Sequence, residues 1–249
     1  MKRSSLVILI FLFITSFAPA QQIWHLKRYE AELGFGPSFF FGDVGGFSNT
    51  KNILGLKDIT PLQTRFNVGI NLKYRITQEF NVRIGFTSGM LYATDKRGSN
   101  ESRGFAASIQ FNEPDLIAEY YFIKNKAENS WLFSKGKSTG FIGFVKSLDF
   151  YAFTGIGGVG YSIKPNAALQ SYGINPGGFA AVIPVGLGAT LIYSPNFNFG
   201  LELTGRYALS DNIDGYTSQY SSSNDVYYFL NFTITYKLKN GPKGWPSFR

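Results

Sequence analysis

Residues 65–76 read Arg65-Phe66-Asn67-Val68-Gly69-Ile70-Asn71-Leu72-Lys73-Tyr74-Arg75-Ile76. Successive side chains of a strand point to opposite faces. Phe66, Val68, Ile70, Leu72, Tyr74 and Ile76 therefore share one face, and Arg65, Asn67, Gly69, Asn71, Lys73 and Arg75 the other. A helix would bring apolar residues back at i+3, i+4 and i+7, and this stretch does not fit that spacing. The same period-two pattern recurs in residues 79–93, 197–209 and 225–238. Fainter versions cover 29–41 and 114–124, while 149–163 and 179–193 are glycine-rich and apolar on both faces. The pattern predicts eight strands, with an irregularity or bulge at Pro37, which lacks a ladder donor.

The connections alternate in length. Residues 77–79 and 194–196 are tight turns, whereas 42–63, 94–113, 164–178 and 210–224 are long loops. Outer-membrane barrels combine short periplasmic turns, long external loops and an even strand count. The connection 125–148 breaks the scheme by being long where a turn is expected. It is either a periplasmic insertion or an additional hairpin.

Composition points the same way. The 249 residues include 28 Gly, 17% aromatic and only 16% charged residues, with no Cys and one His. The missing thiols exclude disulfides, thiolate metal sites and a cysteine nucleophile. Residues 1–20 carry a signal-peptide pattern: Lys2 and Arg3, an apolar run from Leu6 to Phe17, then Ala18-Pro19-Ala20. Cleavage there leaves 229 residues (249 − 20) and lowers the net charge from +8 to +6. No later apolar run approaches the ~20 residues of a membrane helix. A secreted β-sandwich is the competing fold. It rarely combines strands this long with tight turns beside twenty-residue loops.

The expected architecture is thus all-β, an eight-stranded antiparallel transmembrane barrel in residues 21–249 with a short periplasmic tail, 239–249. Its lumen is expected to pair Arg65, Lys73, Arg75, Arg83 and Arg206 with Glu30, Glu32, Glu119 and Glu202, because confined charges are tolerable only when paired. Phe197 and Tyr207 lie ten residues apart (207 − 197) on the apolar face. At ~3.3 Å rise and ~40° tilt they span roughly 25 Å, the height of an outer-membrane apolar band. An eight-stranded barrel is filled by its own side chains, which argues against a general pore.

No catalytic, cofactor or metal site emerges. Gly155-Ile156-Gly157-Gly158-Val159-Gly160 has dinucleotide-binding spacing but runs on as strand to Pro165 instead of opening a helix. Ser210 to Gly215 resembles a calcium loop, yet position twelve is Ser221, not Glu. His25 stands before the first strand, away from a catalytic setting. The basic residues alternate along strands rather than cluster, so lipid phosphates or an acidic partner suit them better than nucleic acid.

The run Tyr29-Glu30-Ala31-Glu32-Leu33-Gly34-Phe35-Gly36-Pro37-Ser38-Phe39-Phe40-Phe41-Gly42-Asp43-Val44-Gly45-Gly46 resembles the opening of PorG-like outer-membrane proteins of Bacteroidetes. The resemblance continues through Leu72–Arg75, Val82–Phe86, Glu113, Glu119–Phe122, Ala152–Gly158, Glu202–Arg206 and Asp211–Tyr216. It implies a non-enzymatic anchoring part of the type IX protein secretion system, in contact with periplasmic PorK/PorN-like ring proteins and outer-membrane lipids. Both termini would lie in the periplasm. Docking residues are expected in 125–148 and the tail: Trp131, Lys135, Lys137, Lys243, Trp245 and Arg249. The alternative function is a small surface barrel that binds an external ligand through its loops, or a narrow specific channel.

Overall fold

The computed structural model describes residues 27–45, 61–96, 100–126, 128, 130–132, 141–174, 176–217, 224–241 and 245–247. Eight strands carry the fold: β1 (Tyr29–Phe41), β2 (Arg65–Arg75), β3 (Phe80–Thr94), β4 (Ala106–Ile123), β5 (Leu148–Pro165), β6 (Gly177–Ile192), β7 (Phe197–Ala208) and β8 (Val226–Asn240). Each pairs antiparallel with the next, and β8 pairs with β1, so the sheet closes on itself. Short elements decorate the connections: a 3-10 turn (Glu101–Arg103), α1 (Phe141–Lys146) and α2 (Ala167–Gln170). A two-residue strand, β9 (Pro246–Ser247), folds the tail back onto Lys239 and Asn240 of β8.

The register fixes the barrel's shape. The cross-strand path from Tyr29 runs through Tyr74, Val82, Ala118, Thr154, Val185, Gly205 and Tyr228, and returns to β1 at Phe39. The shear is therefore ten residues (39 − 29). With eight strands this gives a tilt of ~40° and an axial rise of ~2.5 Å per residue.

Apolar side chains face outward over most of the height. Ile70 is 61% exposed and Leu203, Leu230 and Phe232 are also exposed, while Arg83 and Glu202 are each 3% exposed inside. Aromatic residues mark both edges of the band: Tyr74, Phe197 and Tyr236 at the end with tight turns, Phe66 and Tyr207 toward the other. The two levels are ~25 Å apart, as a membrane barrel requires. The greasy face thus turns outward, toward a bilayer.

Above that band the polarity inverts. Strands β3 to β6 continue past it at the loop end. There the outward residues of β4 include exposed Gln110 and Asn112, and those of β5 include exposed Ser162 and Lys164. The inward residues Leu91, Ile109, Phe111, Val159 and Ile163 form a buried apolar core together with Phe40, Val44, Phe105, Leu169 and Ile213. The barrel is thus ionic inside where lipid surrounds it and greasy inside where water does.

This inversion corrects the expected start of β4. The strand begins at Ala106, eight residues before residue 114. Its inward positions are Ala107, Ile109 and Phe111, then Glu113, Asp115 and Glu119. The side-chain parity is continuous, but its chemical sign changes at Glu113, so a search for one repeating sign stops there. Pro114 lies inside the strand, opposite Phe86.

Pro37 needs no bulge. The β1–β8 register has the same offset before it (Phe35↔Phe232) and after it (Ser38↔Phe229), although Gly36 and Pro37 make no ladder pair with β8. Gly36 permits this close seam, since a Cβ there would sit 2.0 Å from the Leu230 carbonyl oxygen. The only register shift between β4 and β5 lies at Tyr121/Ile123. Among the described residues, the connection between β4 and β5 contains α1 and no extra hairpin. It folds back against the barrel, with the Trp131 and Leu132 N–H groups donating to the Ile192 and Tyr193 carbonyls at 2.8 and 3.1 Å.

Candidate functional site

The ionic interior comes from one inward face of each strand. Its central storey joins β1, β2, β3, β4 and β7. Lys73 lies 2.7 Å from Glu32 and 3.0 Å from Glu119. Arg83 reaches Glu119 at 3.0 Å and Glu202 at 2.6 Å. The Tyr151 hydroxyl donates to Glu202 at 2.5 Å, and the Arg83 guanidinium lies over the Phe153 ring at 4.7 Å. Asn71 and Thr235 donate to the two oxygens of Glu32 at 2.9 and 2.8 Å. Buried charges need this degree of pairing, because each left its hydration shell behind.

A second storey lies toward the turns. Arg75 pairs with Glu30 at 2.7 Å and also with Glu128 from the β4–β5 connection. Glu128 in turn accepts from Lys237 at 3.3 Å. Burial alone would raise the Glu128 carboxyl, but Lys237 and Arg75 hold it down at about 2. Lys124 closes the same end against Asp149 at 2.6 Å. The connection after β4 is therefore tied electrostatically to the barrel mouth.

A third storey sits beneath the apolar core. Arg206 meets Glu113 at 2.8 Å and Asp115 at 3.3 Å, and the Tyr227 hydroxyl donates to Glu113 at 2.5 Å. The stacked Phe111 and Phe229 rings, 5.5 Å apart, lie above it. Side chains thus fill the lumen at successive levels.

Eight of the nine residues expected in the lumen network lie in these storeys: Glu30, Glu32, Lys73, Arg75, Arg83, Glu119, Glu202 and Arg206. Arg65 does not. It stands at the loop rim, donates to the Leu62 and Thr64 carbonyls at 3.0 and 2.8 Å, and lies 4.2 Å from the Tyr92 ring. Arg65 is the first residue of β2, above the level at which the lumen is ionic. Glu113, Asp115, Tyr151, Tyr227 and Lys237 are network members that the sequence pattern does not single out. Glu113 and Asp115 share the parity of Glu119, which was the available signal.

Of the residues expected to dock partners, Trp131 is 45% exposed and Trp245 71% exposed, both at the turn end. Trp131 rests near Phe144 and Tyr193, with ring centroids 6.5 and 6.1 Å away. Trp245 sits beside β9, its carbonyl accepting from Gly241 N–H at 2.7 Å. Lys135, Lys137, Lys243 and Arg249 lie outside the described residues, as do His25 and the segment 1–20. On the outer wall an apolar groove of about 540 Å³ runs over Ala31 between Leu33, Ile70, Leu72, Ile84 and Tyr236. Among the described residues no group of three His, Cys, Asp or Glu side chains is placed to hold a metal.

No family model matches this chain, and no curated protein matches it. Solved structures do. Neisserial surface protein A is 11% identical, covering 84% of this chain and 95% of its own, with a TM-score of 0.41. The attachment invasion locus protein Ail of Yersinia pestis, in complex with the heparin analogue sucrose octasulfate, is 11% identical over 85% of this chain and 97% of its own, with a TM-score of 0.42. The E. coli outer membrane protein W is 15% identical over 85% and 97%, with a TM-score of 0.36. This chain is similar to these small outer-membrane barrels.

Proposed function

We propose that this chain is a non-enzymatic outer-membrane barrel of a Gram-negative bacterium that anchors a periplasmic assembly through its turn end. Residues 1–20 direct export and are removed. Both termini then face the periplasm, together with the tight turns and the β4–β5 connection. In the reading that the PorG-like resemblance supports, the assembly is the type IX secretion machinery and the contacts are PorK/PorN-like ring proteins.

One observation carries the anchoring role. The turn end presents two exposed tryptophans on segments pinned to the barrel, Trp131 through Ile192 and Trp245 through Gly241. Exposed tryptophans on a fixed scaffold are the usual energetic centres of a protein contact. The filled lumen weighs against the channel alternative, because Arg83, Glu202, Arg206 and Phe229 occupy its cross-section.

The test is site-specific photo-crosslinking from positions 131 and 245 in native envelopes, with partners identified by mass spectrometry. Periplasmic ring proteins are the expected adducts. Adducts to lipid alone, with secretion unchanged after deletion of the gene, would refute the anchoring role. Protease access to the tail, or labelling of a Trp245→Cys variant by a membrane-impermeant maleimide, in intact cells would refute the orientation.

A further inference from the structure

Two buried carboxyl groups at the loop end are not used by the ionic storeys. Asp214 lies in the β7–β8 connection and Asp225 immediately precedes β8; they are 0% and 1% exposed. Asp214 Oδ2 accepts the Val44 N–H at 2.9 Å, and its Oδ1 accepts the Tyr216 N–H at 2.9 Å. Asp225 Oδ2 accepts the Ile213 N–H at 2.8 Å. The fourth oxygen, Asp225 Oδ1, is buried without a donor among the described residues. A Cβ added to Gly42 would lie 2.4 Å from this oxygen and 2.7 Å from Asp214 Oδ2. The two oxygens thus converge on one point of the chain, at most 5.1 Å apart (2.4 + 2.7), where glycine leaves room.

Among the described residues, the charges facing the pair have the same sign: Asp43 after β1, and Asp211 on the β7–β8 connection. Arg103, on the neighbouring β3–β4 connection, is engaged by Asp95 at 2.9 Å and lies 4.9 Å from the Tyr216 ring. Two buried carboxyl groups this close do not both ionise. We propose that Asp214 and Asp225 share one proton, carried on Asp225 Oδ1, and that this proton clasps the segment after β1 to the β7–β8 connection and so closes the loop end.

A divalent cation fits less well. Calcium takes six to eight oxygen ligands. Three of the four carboxylate oxygens here already face backbone N–H groups. Burial first, and then Asp214, push the Asp225 carboxyl up to about 9; burial pushes that of Asp214 up to about 7. Both folded values exceed the unfolded one, so the closed form gains nothing from pH below about 4. Its advantage falls as pH rises from there through 7 and 9.

The test is hydrogen exchange at the Val44, Ile213 and Tyr216 amides of the full barrel in phospholipid nanodiscs, corrected for intrinsic rates, from pH 5 to pH 10. Protection is expected to fall by up to about tenfold per pH unit above neutrality. In Asp225→Asn the side-chain amide donates permanently to Asp214, and protection is expected to stay level. Flat protection in the wild type, or an unchanged pH dependence in the variant, overturns the proposal. Should Asp225→Asn not fold, the infrared stretch of a protonated carboxyl in the wild-type protein decides: present at pH 5 and lost by pH 10 supports the clasp, absent at pH 5 overturns it. Restoration of protection at pH 9 by millimolar calcium, reversed by chelation, also overturns it in favour of a cation site.

Discussion

Replacing Arg83 with methionine removes a cation from the middle of the barrel and takes from Glu202 its nearest positive partner, while Glu119 keeps Lys73 at 3.0 Å. The central storey holds two cations, Lys73 and Arg83, against three carboxylates, Glu32, Glu119 and Glu202. Its charge is one negative (2 − 3). Arg83→Met makes it two negative (1 − 3), whereas Glu32→Gln makes it neutral (2 − 2). In the first variant Glu202 keeps Tyr151 at 2.5 Å and has Lys73 only at 3.9 Å. Stranding a buried charge in this way costs roughly 3–5 kcal/mol. In the second, glutamine keeps an acceptor for Asn71 or Thr235, and the loss is about that of a hydrogen bond, roughly 1–2 kcal/mol. The expected gap of about 2 kcal/mol exceeds tenfold in the folding equilibrium. Urea titration of the barrel in phospholipid vesicles measures both variants, and a shifted midpoint at constant slope reports stability alone. If Glu32→Gln proved as damaging as Arg83→Met, the charge count would not govern the interior and the reasoning would fail.

Ile70→Lys, in the middle of the outer band, is expected to cost about 2–4 kcal/mol in vesicles, while Asn112→Lys on the outward face of β4 near the loop end stays within about 1 kcal/mol. Equal costs would refute the placement of the membrane edge. Gly36→Ala drives a methyl group onto the Leu230 carbonyl oxygen. It should open the β1–β8 seam and abolish the heat-modifiable mobility of the folded barrel on gels. The Glu128 carboxyl, depressed to about 2, adds stability that is complete above pH 4–5 and lost as pH falls through 2. Proteolysis within the β4–β5 connection should accelerate on acidification in the wild type but not in Glu128→Gln.

The eight strands were legible because lipid and lumen impose opposite demands on alternate residues, and β2, β7 and β8 meet those demands along nearly their whole length. The upper part of β4 was not, because there water replaces lipid and the demand reverses while the backbone continues. Charged membership of the lumen could be read from parity, as with Lys73 and Glu202. Pairing could not, since Glu32 and Thr235 meet across 203 positions of chain. Tyr151 and Tyr227 were hidden for a related reason. An aromatic ring on a strand reads as lipid-facing unless its hydroxyl is known to find a carboxylate.

The closing seam joins the first strand of the barrel to the last. Tyr29 through Phe41 must wait, unpaired on one side, until Val226 through Leu238 has left the ribosome and crossed into the same compartment. No circular sheet exists at any earlier moment of synthesis, so assembly is a late event controlled by the C-terminal segment. Chains cut short before β8 would carry two raw edges and join one another instead.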